Sequence, residues 1–584
     1  MSEMVFDIEA NGKLKSASVV HCISISSDKG LVSFGPSDIN DGLHLLSTAT
    51  RLVGHNILCY DLPVLERIYG FIWSGQVFDT LNVSRLIYTN LLELDYSMKK
   101  IPKHLYGRHS LEAWGYRLGN YKGDYKGPWD KWSQEMQDYC DQDTRVTQEL
   151  YDRLKSKNYS KEAIRIEHEF QKIIHTQETN GILFDSKKAE ELSRTVEQDI
   201  DAYRRRLTPV LPSRIKPGKL FTPKRDNRTM GYKKGCDITK VTWAEPNPGS
   251  RTQVIDFFKR KYNWQPTVFT DNGNPRVDDE VLRSLPYPEA EDFADLYERI
   301  KIRGYLTSGK NAWLKLVEHG RIYGGVNTNG AVTGRCTHSN PNLSQVPSIK
   351  KYMGRECREL FHSGNGIMVG GDASGIELRM MGHYLYNYDG GEYAKEVVHG
   401  DVHEKNRAAG EIADRDTSKR FIYAMLYGAG NEKLGAIITG KKDPKENSRV
   451  GKETRDKLYS RITGLGRLVN DVKHMGRQRG YLIGLDGRHL HVRSDHKALN
   501  TLFQGAGAVV MKQANIMFWH TDWDCQQVLN VHDEWEVVTN RVEDYANDIG
   551  KDIVTSIIKS GEHFNLKLPL DGEYKIGKNW AEVH

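Results

Sequence analysis

Hydrophobic spacing divides the chain into recognisable elements. Near its start, Met4, Phe6 and Ile8 alternate with Asp7 and Glu9, which predicts a strand with apolar side chains on one face and both carboxylates on the other. From Ser133 to Leu154, residues Met136, Tyr139, Cys140, Val146, Leu150 and Leu154 recur at helical spacing, and Asp143 falls into that inward row. A second helical run (Ile164, Ile166, Phe170, Ile173, Ile174) breaks at Asn180-Gly181, and another helix begins behind Asp185 with Leu192 and Val196 lining it. Later, Phe361, Ile367, Met368 and Val369 lead as a strand into Asp372, after which Ile376, Leu378, Met380 and Met381 open a helix. Asp372 therefore stands at a strand-to-helix corner. Val528–Val538 reads as two short strands, rich in Val and aromatics, meeting near His532-Asp533.

Several carboxylates in this pattern carry chemistry. Asp7 and Glu9 on one strand face repel each other unless a cation lies between them, and a divalent ion with oxygen ligands does this well; a solvated edge strand gives the same alternation. Asp143 on an apolar stripe is costly unless paired or metal-bound. Asp61 follows an apolar lead-in and a polar turn, where capping of a Pro-started helix is the plainer role. Asp372 could likewise cap the helix after it, and Asp533 could sit in a tight hairpin turn. Between them, Arg415, Lys419, Tyr423 and Tyr427 are spaced four apart, one slowly turning stripe of a helix. Cations followed by rings suit a triphosphate with a base behind it, although a snorkelling amphipathic face has the same spacing.

Composition narrows the class. A chain of 584 residues is too long for one core. Its 38% hydrophobic and 27% charged residues are ordinary for a globular protein, with no run of eighteen apolar residues to suggest a membrane span. The opening residues lack the basic patch and apolar core of a secretory signal. Seven cysteines without a Cys-x-x-Cys pair point to reduced thiols and against a zinc site. A net charge of +6 permits nucleic-acid binding without requiring it.

The motifs together resemble those of family A DNA polymerases, nearest to the replicative branch of short-tailed bacteriophages. The resemblance is carried by Asp372-Ala-Ser-Gly-Ile-Glu-Leu-Arg379, Asp401-Val-His-Glu-Lys-Asn406, the Arg415–Gly430 stretch and His532-Asp-Glu534. It also includes Asn329–His338, Asn342–Pro347, Leu485-Asp-Gly-Arg488 and Ala498–Gly507, from about residue 320 onward. The N-terminal carboxylates, with Tyr139 four residues before Asp143, resemble DnaQ-like 3′–5′ proofreading exonucleases in their Tyr-containing form.

The resemblance implies a multidomain α/β and α+β fold: an RNase H-like exonuclease domain over 1–155, then a right-handed polymerase. Its thumb would cover 156–325 with a basic loop at 208–250, its palm 326–385 and 498–584, and its fingers 386–497. Asp372, Asp533 and the Ala373 carbonyl would hold two Mg2+ ions, replaceable by Mn2+, with Glu534 supporting them. Asp7, Glu9, Asp61 and Asp143 would hold another pair, and Tyr139 would orient the attacking water. Arg415, Lys419 and His403 would bind the triphosphate, Tyr423 would stack at the incoming nucleotide, and Glu377 would exclude a ribose 2′-hydroxyl. Arg335, Gln504 and His532 would contact DNA, the first two at minor-groove acceptors.

The expected substrates are primer-template DNA and deoxynucleoside triphosphates, in the cytoplasm of an infected bacterial host, with the enzyme a monomer beside a phage helicase-primase. In this phage branch a thumb insertion can bind a host processivity factor, thioredoxin in the best-known case. Residues 208–250 look shorter than that insertion, irregular and basic, so a tip sliding on duplex phosphates is the more economical expectation. Three alternatives stay beside this reading: a single-subunit RNA polymerase, a repair-type family A polymerase, and a non-catalytic nucleic-acid-binding scaffold. Glu377 and the proofreading carboxylates speak against the first two. The scaffold has no use for so many acidic groups, which repel phosphate without metal.

Overall fold

The computed structural model describes residues 2–270 and 273–584. The chain forms two compact units, one of Met1–Leu183, Arg321–Val346 and Phe361–His584, the other of Phe184–Gly320 and Pro347–Leu360.

The first unit begins with five strands: β1 (Glu3–Ala10), β2 (Val20–Ser27), β3 (Gly30–Phe34), β4 (Arg51–Gly54) and β5 (Gln76–Asp79). They form one mixed sheet in the order β3-β2-β1-β4-β5, with β1 antiparallel to β2 and parallel to β4. Alternation along β1 works as the sequence predicts: Met4, Phe6 and Ile8 are buried with Ile23, Ile25 and Leu52. The opposite face meets the helix Gln134–Lys155, whose Cys140 thiol donates to the Asp7 carbonyl at 3.4 Å. That helix starts where the Ser133 hydroxyl accepts the Met136 amide and buries Met136, Cys140, Val146, Leu150 and Leu154. The helix Lys161–Asn180 follows and ends at Gly181, where a φ of +58° stops further winding.

Farther along, four antiparallel strands form a second sheet in the order Gln526–Val531, Glu534–Thr539, Ile367–Ala373, Gly572–Gly577. Helices Ala498–Trp519 and Glu543–His563 supply much of its buried core, with Ala506, Val510, Ala514, Ile549 and Ile553 in the same cluster as Val369, Trp535 and Val537. The glycine pair before Asp372 reflects this packing. A Cβ at Gly371 would lie 2.2 Å from Ile553, and one at Gly370 would lie 2.9 Å from the Val583 carbonyl. Residues 386–497 are mainly helical and include Val402–Gly410, Arg415–Leu426 and Leu465–Arg479.

The second unit contains helices Ser186–Leu207, Arg251–Tyr262 and Ala290–Arg303. Asp185 caps the first, accepting the Lys188 amide at 2.9 Å. One expectation fails here: 208–250 is not irregular, because Arg214–Phe221 and Ile238–Ala244 pair as an antiparallel hairpin with Ile215 opposite Trp243. Closely spaced prolines and lysines hide the β-rich alternation Thr239, Val241, Trp243. Lys240 lies over the Phe221 and Tyr232 rings at 5.3 and 5.9 Å, whereas Ile215, Leu220, Val241 and Trp243 remain exposed.

Candidate active sites

The first site forms where the four-stranded sheet meets a helix. Asp372, one residue before its strand ends, pairs across the sheet with Glu534 on one side and Glu573 on the other. The Ala373 amide donates to the Asp533 carbonyl at 3.3 Å, and His532, with a φ of +60°, makes the turn that carries Asp533. Two carboxylates 161 positions apart in sequence therefore meet at one end of the sheet's central strands. Asp372 is exposed at the end of its strand, yet the surrounding protein, with Asp533 and Glu534, pushes its pKa up to about 8. Burial, and then Glu377, pushes Asp533 up to about 6, with Arg335 opposing.

Glu377 lies in the first turn of the helix Ile376–Asp389 and is buried. It accepts hydrogen bonds from the Tyr427 hydroxyl and, at 3.2 Å, from Arg335. Glu534 is buried, and its carboxylate is engaged by His584. The helix Arg415–Leu426, capped by Asp414 on the Thr417 amide, presents Arg415 and Lys419 to solvent and half-buries Tyr423. Burial, with Glu377, Asp533 and Asp372 nearby, pushes the Tyr423 phenol up to about 12. The His403 ring lies 6.1 Å from the Tyr423 ring, and burial, Lys419 and Arg415 all lower its pKa. Arg415 is paired with Asp401 at 2.7 Å. Carboxylates, cations and a phenol thus converge, as a charged nucleotide tail beside a metal site requires. Gln504 is half-buried on the helix Ala498–Trp519, and His532 is exposed.

The second site lies on the five-stranded sheet. Asp7, Glu9 and Asp143 each offer a carboxylate oxygen within 4.8 Å of the others. Asp61 is the first residue of the helix Asp61–Tyr69, after Tyr60 at the cap position, and its charge helps to raise Asp7. Burial first, then mutual repulsion, pushes Glu9 to about 8, and burial pushes Asp61 to about 7. The buried Asp143 Oδ1 has no protein hydrogen-bond partner. An all-oxygen set with an unspent buried oxygen and strong internal repulsion fits a hard divalent cation. Tyr139 lies one helical turn from Asp143 on the same helix.

Two participants carry no mark in the local sequence. Lys122, from an irregular stretch, bonds to Asp143 and lies 4.3 Å from the centre of the Tyr139 ring; no periodicity marks it. Tyr427 was visible only as the last member of a stripe, and its bond to Glu377 depends on a helix far away in sequence.

The family model for DNA polymerase family A matches residues 233–582. The DNA-directed DNA polymerase of Escherichia phage T7 is 35% identical and that of Enterobacteria phage T3 is 34% identical, each aligned over 707 positions covering 100% of both chains. Those alignments are longer than the 584 residues here, so the relatives carry segments this chain does not. Among solved structures, the POL domain of Pol1 from M. smegmatis, in complex with DNA primer-template and dNTP, superposes with a TM-score of 0.71. It is 18% identical, covers 99% of this chain and 96% of its own, and is a likeness of fold.

Proposed function

Because the chain belongs to DNA polymerase family A, and so carries out template-directed DNA synthesis from a primer and deoxynucleoside triphosphates, we propose that Asp372 and Asp533 are the carboxylates of its polymerisation site. The observation that carries this is the sheet register uniting them beside Tyr423. Divalent cations, Mg2+ in the first instance, held there by the two carboxylates and the Ala373 carbonyl would acidify the primer 3′-hydroxyl and neutralise the leaving pyrophosphate.

Around them the chain's own groups bind and orient. Arg415, Lys419 and His403 grip the triphosphate, releasing Asp401 from Arg415 as they do so. Tyr423 stacks at the sugar and base. Glu377, fixed by Tyr427 and Arg335, fills the space a ribose 2′-hydroxyl would need. Arg335 and Gln504 reach the minor groove of the new pair and His532 the DNA backbone. In domain terms, 326–385 and 498–584 serve as palm, 386–497 as fingers and 156–325 as thumb.

Residues 1–155 act as a 3′–5′ proofreading exonuclease in this reading. Asp7, Glu9, Asp61 and Asp143 hold its cations, and Tyr139 orients the attacking water. The enzyme works in an infected bacterial cell, alongside a phage helicase-primase. The 214–244 hairpin is its contact for duplex phosphates, and a thioredoxin-like factor is the other candidate there. Primer extension with and without Mg2+ tests the first site. Excision of a mismatched primer end tests the second, and a protein that binds primer-template but does neither would be a scaffold.

A further inference from the structure

A buried network of four charges lies outside both carboxylate sites. The Arg488 guanidinium, 1% exposed, reaches Asp486 at 2.7 Å and Glu167 at 2.8 Å, and the Lys512 ammonium bonds to the same Glu167 oxygen. Three segments meet here, the first far in sequence from the other two: the helix Lys161–Asn180, the 484–488 turn and the helix Ala498–Trp519. Buried ion networks are often replaceable by apolar side chains without loss of stability, so packing alone does not explain this one. What it does supply is a guanidinium held in one orientation by two fixed carboxylates.

That guanidinium faces the loop 328–335. Asn329 Oδ1 accepts from Arg488 Nη1 at 3.4 Å. Gly334 has a φ of +77°, and a Cβ there would lie 2.6 Å from the same nitrogen. The Gly334 amide donates to the Ala331 carbonyl at 2.8 Å and the Ala331 amide to the Arg335 carbonyl at 3.2 Å, closing a tight turn. From the other side, Asn329 Nδ2 donates to the Arg85 carbonyl at 2.8 Å. Arg335 is the next residue along the chain, and its side chain ends on Glu377. Asn329 and Gly334 thus link Arg488 to the turn that ends in Arg335.

We propose that Arg488 is a positioning residue for polymerisation: clamped by Asp486 and Glu167, it fixes the 329–334 turn and thereby the reach of Arg335 toward the base pair at the primer end. The inference rests on Arg335 acting there, as read above.

Removing Arg488 threatens the fold itself, so the test uses Asn329→Ala and Gly334→Ala, which keep all four charges. Single-nucleotide incorporation by the full chain is measured for each, alone and combined with Arg335→Ala, alongside extension from a mismatched primer end and thermal melting. Alone, each substitution is expected to lower kcat/KM about tenfold, mainly through kcat, because a small misplacement of an orienting group is costly. Each should also weaken discrimination against the mismatched end; melting should stay near wild type in Asn329→Ala and fall in Gly334→Ala, whose positive φ strains any Cβ, so Asn329→Ala carries the kinetic comparison. In the Arg335→Ala background the same substitutions should cost less than about twofold, since groups acting through one another are not additive. A full loss persisting in that background overturns the proposal, as does wild-type kinetics in both single variants. If Arg335→Ala alone incorporates normally, the reading of Arg335 fails and the proposal with it.

Discussion

Asp372 and Glu534 are cross-strand partners, so Asp533, one residue before Glu534 and bonded through its carbonyl to the Ala373 amide, is held beside Asp372 by the backbone ladder itself. The site is therefore as rigid as the sheet. Asp533→Ala leaves that ladder intact and removes only the carboxylate. It should reduce primer extension by more than about a hundredfold, as loss of a charge-stabilising group does in other enzymes, while degradation of single-stranded DNA continues, because Asp7 and Glu9 lie on a different sheet and Asp143 on the helix packed against it. Loss of both activities in a normally folded variant would contradict two separate sites.

The raised carboxyl pKa values have a definite consequence for stability. Asp372 at about 8, Glu9 at about 8, Asp61 at about 7 and Asp533 at about 6 all stand above the ordinary 3.8 of Asp and 4.5 of Glu. A carboxyl whose pKa rises on folding holds its proton more tightly in the folded chain, so these groups remove stability as pH climbs from about 4 to about 8. A bound divalent cation offsets that repulsion. Melting in chelator should thus be lower near pH 8 than near about pH 5.5, and millimolar Mg2+ should narrow the difference. A pH difference insensitive to Mg2+ would mean that these carboxylates do not share a cation.

Tyr423 places a phenol hydroxyl toward the carboxylate edge, 3.9 Å from where a Cβ on Gly375 would stand. A hydroxyl there can substitute for a missing 3′-hydroxyl on the incoming sugar. Wild-type protein should accept dideoxynucleotides readily, and Tyr423→Phe should terminate chains less often at the same nucleotide ratio. Equal termination by the two proteins would refute the placement of that hydroxyl.

Much of this was legible in the sequence because the informative residues sit where local pattern is strong. Asp7 and Glu9 follow from the alternation of Phe6 and Ile8 with them, Asp143 from its intrusion into an apolar helical row, and Asp372 from the change of period at Gly375. Pairing between distant segments was not legible. Nothing near Glu377 announces Tyr427, and nothing near Arg488 announces Glu167, because those contacts are set by how sheets and helices pack. The 214–244 hairpin is hidden for a different reason: its prolines and lysines suppress the local β signal, and the pairing of Ile215 with Trp243 joins positions on either side of a long turn.

Asp7→Ala with Glu9→Ala removes two of the three clustered carboxylates while leaving the buried face of β1, Met4, Phe6 and Ile8, untouched. The double variant should extend primers at an undiminished rate and fail to remove a mismatched 3′ end. Excision persisting in a preparation free of other nucleases would place the hydrolytic centre elsewhere.

Lys122 would compete with a divalent cation for the charge of the Asp143 carboxylate, since it bonds one oxygen and leaves Oδ1 unspent. The ammonium bonds to that carboxylate and rests against Tyr139, and Asp143, Tyr139 and Asp7 together raise its pKa despite its burial. Because a raised lysine pKa contributes stability throughout the range below it, Lys122→Met should lower the melting temperature in chelator across neutral pH. Mn2+ should restore most of the loss and bind several-fold more tightly than to wild type, since one competitor is gone and the carboxylates remain. Titration calorimetry reads the affinity without relying on turnover. An unchanged Mn2+ affinity, or a melting deficit that Mn2+ leaves in place, would show that Lys122 serves the fold alone and plays no part in metal exchange at Asp143.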